Sequence, residues 1–394
     1  MKKILFVFVI VLAGLSSLVY AQPINLAFQP IDDCQELHKN SHLYVLQNNI
    51  TTKSEGCFVI LGDRITLDLN GYTISGDGIG YGIFISEFNS FNIVKNGIIT
   101  NFETGIYLEE GSNNNFIENT IIIDNTETGI QTFISNDNVI KNNKILNNDK
   151  KGIEMDDSEG NLIKNNKIEG NEWEGIDLDD GIYNIIRDNK IKENGQDGID
   201  LQDSNYNIIL KNHVKNNEID GIHLGESFNN TLSDNYISGN GHNGIDLGNA
   251  YSNLIINNYI KENGYGGLPH VDYAGIELDE ANDNIINKNY ILYNNLSGIV
   301  ILNNASSNLI YNNFLKNNLN FYSWPIVIGG SNFWNTTQQK GKNIIGGQFL
   351  GGNYWANPDG SGYSETCEDL DDNGICDESY ILNENNVDYH PLTY

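Results

Sequence analysis

Acidic residues and one histidine recur at a fixed interval through the middle of the chain. They are 23 residues apart as far as Asp246, and the last follows 31 residues later: Glu154, Asp177, Asp200, His223, Asp246 and Glu277. Negative charge beside a histidine favours the imidazolium and raises its pKa, which suits a general acid–base group. If residues 23 apart in the sequence are neighbours in space, His223, Asp200 and Asp246 are the predicted catalytic residues.

Further polar residues near this series are candidates for binding a substrate. They are Glu154, Asp177 and Glu277 of the series, Glu226 beside it, and two histidines near an eight-residue insertion, His242 and His270. Carboxylates on adjacent turns of the chain would match the roughly 5 Å separation of retaining glycoside hydrolases. A solvated acidic surface with unrelated histidines would produce the same pattern, and this alternative stays open.

The tail contains a run with the ligand spacing of a calcium loop. Positions 1, 3, 5 and 9 of the loop are Asp369, Asp371, Asn373 and Asp377, and position 6 is Gly374. Position 12 is Tyr380, where an EF-hand has Glu. We predict a structural calcium site, and an ordinary Asp/Asn/Gly turn is the alternative.

A repeat positions the acidic series. A Gly–Ile pair returns at ten places, mostly 23 residues apart: Gly82, Gly105, Gly129, Gly152, Gly175, Gly198, Gly221, Gly244, Gly275 and Gly298. Each unit has three short apolar stretches, with Asn nine, fourteen and nineteen residues after the Gly. Short strands separated by Asn corners predict an all-β fold, a parallel β-helix whose coils stack about 4.8 Å apart.

Stacking also predicts what each coil presents. Ile and Leu form a shared core, Asn forms corner ladders, and the second residue after each Gly points outward. That outward column runs from Phe84 and Tyr107 through the acidic series to Val300. We expect about ten coils over residues 58–318; leucine-rich and α-helical repeats fit worse, because the units lack helical segments.

The two ends of the chain differ from the repeat. Residues 1–21, with Lys2 and Lys3 before an apolar run, are typical of a secretory signal peptide; an uncleaved anchor is the alternative. Residues 22–57 are predicted to cap the first coil, with a short helix within residues 30–45. Residues 319–394 are predicted to cap the last coil. No later stretch is apolar enough to span a membrane.

Charge and cysteine content limit the partners and the compartment. The net charge of −30 makes nucleic acid and anionic lipid improbable partners. Two cysteines near each end predict disulfides Cys34–Cys57 and Cys367–Cys376, with a cysteine-based metal site as the weaker alternative. We expect a secreted, cell-surface or periplasmic monomer.

The GIxL…NxIxxNxI units resemble right-handed parallel β-helix repeats of the pectin-lyase-like superfamily, in particular NosD-type periplasmic proteins. Three segments carry the likeness: Asp68–Ile74, Gly351–Trp355 and Asn386–Leu392. The resemblance implies the fold, but the superfamily includes lyases, epimerases, hydrolases and proteins without known activity. The NosD name implies copper, yet Met1 and Met155 are the only methionines and there is no His-rich tract, so copper is not expected.

These observations predict a protein that binds a polysaccharide along an acidic face. Hydrolysis, elimination or epimerisation centred on His223 would be its chemistry. An arginine-based lyase is disfavoured, since Arg64 and Arg187 are the only arginines. The alternative is a non-enzymatic protein, either a NosD-like accessory factor or a cell-surface spacer.

Overall fold

The chain winds into a long solenoid of short strands. The computed structural model describes residues 27–266, 273–324 and 330–394. Each coil contributes one strand to each of three parallel sheets, and each of these three sheets has 13 strands; two short antiparallel pairs lie in the C-terminal segment. The predicted all-β parallel β-helix is confirmed, with somewhat more coils than the ten expected.

The strands are numbered in chain order. The first half comprises β1 (Ala27–Ile31), β2 (Gln35–Leu37), β3 (His42–Leu46), β4 (Ile50–Thr51), β5 (Gly56–Ile60), β6 (Thr66–Asp68), β7 (Thr73–Ser75), β8 (Tyr81–Ile85), β9 (Ile93–Lys95), β10 (Ile98–Thr100), β11 (Thr104–Leu108), β12 (Phe116–Glu118), β13 (Ile121–Ile123), β14 (Ile130–Phe133), β15 (Val139–Lys141), β16 (Lys144–Leu146), β17 (Ile153–Asp156), β18 (Leu162–Lys164), β19 (Lys167–Glu169), β20 (Ile176–Asp179), β21 (Ile185–Arg187) and β22 (Lys190–Lys192).

The second half includes a single described helix. It comprises β23 (Ile199–Gln202), β24 (Ile208–Leu210), β25 (His213–Lys215), β26 (Ile222–Gly225), β27 (Thr231–Ser233), β28 (Tyr236–Ser238), β29 (Ile245–Gly248), β30 (Leu254–Ile256), β31 (Tyr259–Lys261), β32 (Ala274–Asp279), β33 (Ile285–Asn287), β34 (Tyr290–Leu292), β35 (Ser297–Leu302), β36 (Leu309–Tyr311), β37 (Phe314–Lys316), β38 (Phe321–Trp324), β39 (Gln339–Lys340), β40 (Phe349–Leu350), β41 (Tyr354–Ala356), α1 (Tyr363–Thr366), β42 (Tyr380–Asn383) and β43 (Asn386–Asp388).

The three sheets take every third strand. Sheet A contains β1, then β3 and each third strand to β36; sheet B contains β2, β5 and each third strand to β38. Sheet C contains β4, β7 and each third strand to β37, and ends with β41. Equivalent residues pair directly: Ile185 lies opposite Ile208, 23 residues later. Residues one repeat apart in the sequence therefore lie one coil apart along the solenoid axis.

The core is a stack of Ile and Leu side chains. Ile163, Ile186 and Ile209 are fully buried on sheet A, and Ile176 and Leu178 on sheet B. Burying a side chain of this size stabilises the fold by about 1.5–3 kcal/mol. One coil alone leaves its apolar residues open above and below, so stability depends on stacking.

Buried asparagines form ladders at the corners. Asn189 Nδ2 donates to Asn212 Oδ1 at 3.1 Å and to the Ile163 carbonyl at 3.0 Å, while Asn189 N–H donates to the same Asn212 oxygen at 3.0 Å. The left-handed backbone belongs to the residue before each ladder position, as at Asp188 (φ 57°) and Lys211 (φ 55°). The expected ladders are present, but the ladder Asn makes the hydrogen bonds and its predecessor makes the bend.

The N-terminal segment continues the solenoid, so the helix predicted within residues 30–45 is wrong. Strands β1, β2 and β3 occupy it and pair with the next coil. Ile31, Leu37 and Leu46 are buried in the common core. Among the described residues, the Asp33 carboxylate accepts a hydrogen bond only from the next N–H, that of Cys34, which closes a turn and caps no helix. The predicted disulfide Cys34–Cys57 is present.

The C-terminal segment covers the last coil. Strand β41 pairs with β37 and completes sheet C, and Trp334 and Trp355 are buried beneath the tail. Asp388 is fully buried and accepts hydrogen bonds from Asn353 N–H and Trp355 Nε1–H, both at 2.8 Å. Among the described residues, no helix is long and apolar enough to cross a bilayer.

Candidate functional site

The acidic series forms one outward column on sheet B. Strand pairing places Asp177 opposite Asp200, Asp200 opposite His223, and His223 opposite Asp246. The central column is defined as Glu154, Asp177, Asp200, His223, Asp246 and Glu277. The three predicted catalytic residues are therefore neighbours on consecutive coils.

A second column lies beside it because of the repeat glycine. A Cβ on Gly175 would lie 2.6 Å from Ile191 Cγ2, so this position faces the core, as the buried Ile176 also does. The glycine and the following isoleucine both face the core, which breaks the usual in–out alternation of a strand. The residue before the glycine therefore lies on the outer side, next to the central column. This flanking column consists of Lys151, Glu174, Asp197, Asp220 and Asn243. We did not predict it, although three acids 23 residues apart before the glycine were its signal.

His223 and Asp200 form a hydrogen-bonded pair at the centre of the column. His223 Nδ1 lies 2.7 Å from Asp200 Oδ1, and the two side chains are 26% and 20% exposed. Burial alone would favour the neutral ring, but the hydrogen bond and charge of Asp200, with Asp246 and Asp197 nearby, raise the pKa of His223 to about 10. His223 is an imidazolium at neutral pH.

The flanking column contributes buried carboxyl groups beside the His223–Asp200 pair. Asp197 accepts a hydrogen bond from Asp220 N–H at 2.6 Å, and Asp220 accepts one from Asn243 N–H at 2.5 Å. Burial, together with the neighbouring acids, raises the pKa of both carboxyl groups above the usual range. The same causes raise the pKa of Asp246. These groups are therefore better proton acceptors than ordinary aspartates.

Two predicted substrate-binding residues belong to an ion network. Lys151 Nζ lies 2.6 Å from Glu154 Oε1 and also contacts the Asp177 carboxylate. Asp177 is only 6% exposed, and burial raises its pKa to about 7 despite the lysine. Glu277, 8% exposed, accepts a hydrogen bond from Asn243 Nδ2 at 2.7 Å. The structure places all three in the central column, held by protein partners.

Glu226 lies on an exposed corner next to sheet B, in a third acidic column. That column contains Asp157, Asp180, Asp203, Glu226 and Glu280, all with left-handed backbone. A few residues after this column in each coil lies an aromatic ladder that we did not predict. It consists of Tyr183, Tyr206, Phe228 and Tyr251, with successive ring centroids 5.3, 5.7 and 4.9 Å apart. Three of these rings are exposed, Tyr183 by 53% and Tyr206 and Tyr251 by 44%.

The remaining predicted histidines lie near the insertion. His242 Nε2 is 3.0 Å from the Tyr273 hydroxyl, and the two rings stack with centroids 4.2 Å apart. His270 falls outside the described residues. At the other end of sheet B, Tyr81, Phe84 and Tyr107 stack with centroids 5.0–5.7 Å apart. The acidic face is thus continued by aromatic side chains.

The sequence matches the family described as "Right handed beta helix region" over residues 36–189 and 81–232, which together span half of the chain. The chain belongs to the right-handed β-helix family. Residues 270–360 of this β-helix protein also match the family described as "Periplasmic copper-binding protein (NosD)". That segment contains one histidine and neither cysteine nor methionine, the side chains that copper prefers.

Solved structures with the same fold include two A-modules from Azotobacter vinelandii. The mannuronan C-5 epimerase AlgE6 A-module is 16% identical, with a TM-score of 0.66 over 74% of this β-helix protein and 89% of the module. The AlgE4 A-module is 16% identical, with a TM-score of 0.56 over 76% and 88%. No curated protein is significantly similar in sequence. At this identity, the likeness shows the fold alone.

One set of side chains in the described part of the β-helix protein could share a cation. Asp197, Asp200 and His223 each offer a ligand atom within 4.8 Å of the others. Two carboxylates and an imidazole suit a divalent cation, but a metal ligand must be a neutral imidazole. The raised pKa of His223 favours its protonated form, so proton and cation compete for the same place.

The predicted calcium loop of the β-helix protein is closed by its own hydrogen bonds. Asp369 accepts the N–H of Asn373 and of Gly374, and Asp377 accepts the N–H of Leu370. Asn373 Nδ2 donates to Asp371 at 2.8 Å. The predicted disulfide Cys367–Cys376 braces the loop. These oxygens fit calcium chemistry through their remaining lone pairs, and the calcium site stays a prediction.

Proposed function

We propose that this β-helix protein binds an extended polysaccharide along sheet B, and that His223 acts on a bound sugar as a general acid. The observation that carries the proposal is the hydrogen-bonded His223–Asp200 pair, flanked on the next coil by Asp246. Successive coils repeat equivalent outward positions about every 4.8 Å. A face of this kind suits a polymer lying along the axis.

The aromatic ladder at the edge of the acidic face supports a sugar ligand. Its exposed tyrosines combine an apolar ring with a hydroxyl, and sugars present both apolar and hydroxyl surfaces. The two A-modules with this fold are mannuronan C-5 epimerases, so a β-helix of this kind can act on a polysaccharide.

The charge of sheet B favours a neutral or amino-sugar polymer over a uronic acid polymer. Its strands contain nine Asp or Glu and no Lys or Arg. The adjacent Lys151 is already paired with Glu154 and Asp177. A polyuronate would meet like charge between β17 and β32. Hydrolysis therefore fits better than elimination or epimerisation, both of which act beside a sugar carboxylate.

In the proposed hydrolysis, the bond between a sugar carbon and the glycosidic oxygen breaks, and that oxygen takes the proton of His223. A water oxygen forms the new bond to the carbon, and Asp246 accepts the proton that water loses. Asp246 then returns this proton to His223 on the neighbouring coil. Asp200 stabilises the imidazolium through its 2.7 Å contact.

The test measures reducing ends and unsaturated products from xylan, β-glucan, chitosan and polygalacturonate. We expect reducing ends from a neutral or amino-sugar polymer, and a rate at least about 100-fold lower for His223→Gln. His38→Gln is the matched control, since His38 is exposed and contacts Glu36 in the N-terminal coils. Equal activity of wild type and His223→Gln would remove the site assignment. If the wild-type protein is retained by a glycan gel, Tyr206→Ala is not retained, and no product forms, then the binding part of the proposal stands and the catalytic part is removed.

The proposal includes an oxidising location outside the cytoplasm. Both disulfides support it, because structural disulfides persist in such compartments. Secretion and removal of residues 1–21 remain predictions, and the N-terminal sequence of the mature protein would test them.

A further inference from the structure

Sheet C carries a charge pattern opposite to that of sheet B. Its 13 strands contain seven lysines and one acid, Glu169. The lysines are Lys144, Lys167, Lys190, Lys192, Lys215, Lys261 and Lys316. In a chain with a net charge of −30, this is a local reversal of sign.

The first residue of successive sheet C strands forms one outward column. In axial order it reads Lys144, Lys167, Lys190, His213, Tyr236, Tyr259, Tyr290, Phe314 and Tyr354. We call this the cationic–aromatic column. Three of its nine residues are lysines, His213 follows them, and the last five are Tyr or Phe, of which Tyr354 is buried.

Some of the sheet C lysines are available to bind an anion. Among the described residues, no ion pair involves Lys144, Lys190 or Lys215. Lys167 and Lys192 both pair with Glu169, and Lys261 pairs with Glu262. His213 lies near Lys190 and Lys215. Burial is the main cause that lowers the pKa of His213, and the positive charge of these two lysines lowers it further. The sheet C strands from Lys144 to Lys215 therefore concentrate positive charge on this face.

The rings form a continuous ladder. The Tyr236 and Tyr259 centroids are 5.4 Å apart with planes 6° from parallel, and the steps to Tyr290 and then Phe314 are 6.0 and 5.7 Å. Tyr259 and Tyr290 remain 36% and 38% exposed. Because the rings pack on one another, a nucleobase cannot enter between them. The ladder presents ring edges and phenol hydroxyls. The Tyr290 hydroxyl donates to the Ile344 carbonyl at 3.3 Å, whereas a hydroxyl such as that of Tyr259 can donate to carboxylate and hydroxyl oxygens of a ligand.

We propose that sheet C is a second binding face, and that its ligand is an anionic polysaccharide lying along the cationic–aromatic column. The lysines pair with carboxylate or sulfate groups, and the exposed tyrosines contact sugar rings and their hydroxyls. Charge complementarity selects an anionic polymer here and rejects it on sheet B. This face shares no residue with the site on sheet B, so the inference does not depend on the proposed function.

The experiment measures binding of the full-length protein to polygalacturonate and dextran sulfate, with uncharged dextran as the matched polymer. We expect binding to at least one polyanion, none to dextran, and weaker affinity as salt is raised. Lys190→Gln/Lys215→Gln should weaken affinity by about tenfold or more. The control Lys39→Gln/Lys53→Gln removes the same charge from exposed N-terminal positions and should bind as wild type does.

The aromatic part of the column is tested by Tyr259→Phe, which keeps the ladder and removes one hydroxyl, alongside Tyr259→Ala/Tyr290→Ala. Circular dichroism confirms that each variant is folded, and we expect both to bind more weakly. The inference is overturned if neither polyanion binds, or if the sheet C variants bind as tightly as wild type. Tighter binding of a dT20 oligonucleotide or of phosphatidylserine vesicles through the same residues would also overturn it.

Discussion

His223 Nδ1 lies 2.7 Å from Asp200 Oδ1, although the two residues are 23 positions apart in the chain. The contact exists because β23 and β26 pair in register, Asp200 opposite His223. It joins an imidazolium to a carboxylate in a place that also contains Asp197 and Asp246. Both the chemistry and the pH response of the protein should depend on this pair.

The His223–Asp200 pair should make stability fall at alkaline pH. The pKa of His223 is about 10 in the folded protein and 6.5 for an ordinary histidine, so its stabilisation is complete below pH 6.5 and is lost as pH rises towards 10. We expect the Tm of wild type to fall over this interval and that of His223→Gln to fall less. Thermal melts across the range measure this, with His38→Gln as control. Parallel curves for wild type and His223→Gln would contradict the prediction.

Asp388 should make stability fall as pH rises in the acidic range, below the range in which His223 acts. Burial raises its pKa to about 7, above the ordinary 3.8, so the folded state binds the proton more tightly than the unfolded state does. The free energy of unfolding should therefore decrease as pH rises from about 4 to about 7. Asp388→Asn should make this decrease smaller, measured by urea unfolding at several pH values. Asp32→Asn, at an exposed position, should leave it as in wild type.

Removing one ladder asparagine should destabilise the solenoid. Asn212 Oδ1 accepts hydrogen bonds from Asn189 N–H and Nδ2. Asn212→Ala therefore leaves the buried Asn189 N–H without an acceptor and removes one of the two hydrogen bonds of Asn189 Nδ2. Leaving a buried donor unsatisfied costs about 1–3 kcal/mol. Urea unfolding measures the change, with Asn318→Ala, at an exposed position, as the control. Equal midpoints for the two variants would show that the ladder contributes little.

Calcium should stabilise the tail loop. If its oxygens bind the cation only in the folded state, stability rises by about 2.7 kcal/mol when free calcium is about 100 times Kd. We expect a higher Tm in calcium than in chelator, and no difference for Asp371→Asn/Asp377→Asn. The same Tm for wild type in both solutions would show that the loop is an ordinary turn.

Much of the fold was predictable because the repeat period is visible in the amino-acid sequence. The register of the column from Phe84 to Val300 follows directly from the 23-residue period, and the pairing confirms it, although Val300 is fully buried. The N-terminal helix was predicted wrongly because Asp33 resembles a helix cap in sequence. Only stacking shows that Ile31 and Leu37 belong to the core.

The candidate site was predictable in part. His223, Asp200 and Asp246 were expected as neighbours, and they are. The flanking column with Asp197 and Asp220 was missed, because alternation in a strand gives no warning that a glycine and the following isoleucine both face inward. The pairing of Lys151 with both Glu154 and Asp177 also requires two coils in contact.

The sequence by itself determined the solenoid, its acidic column and its disulfides, because a fixed period and local turn chemistry are linear properties. The tertiary structure alone decided how deeply each carboxyl group is buried, which lysine pairs with which acid, and that sheets B and C have opposite charge. Those properties arise when coils stack, since burial and pairing depend on distances between atoms that the order of residues does not specify.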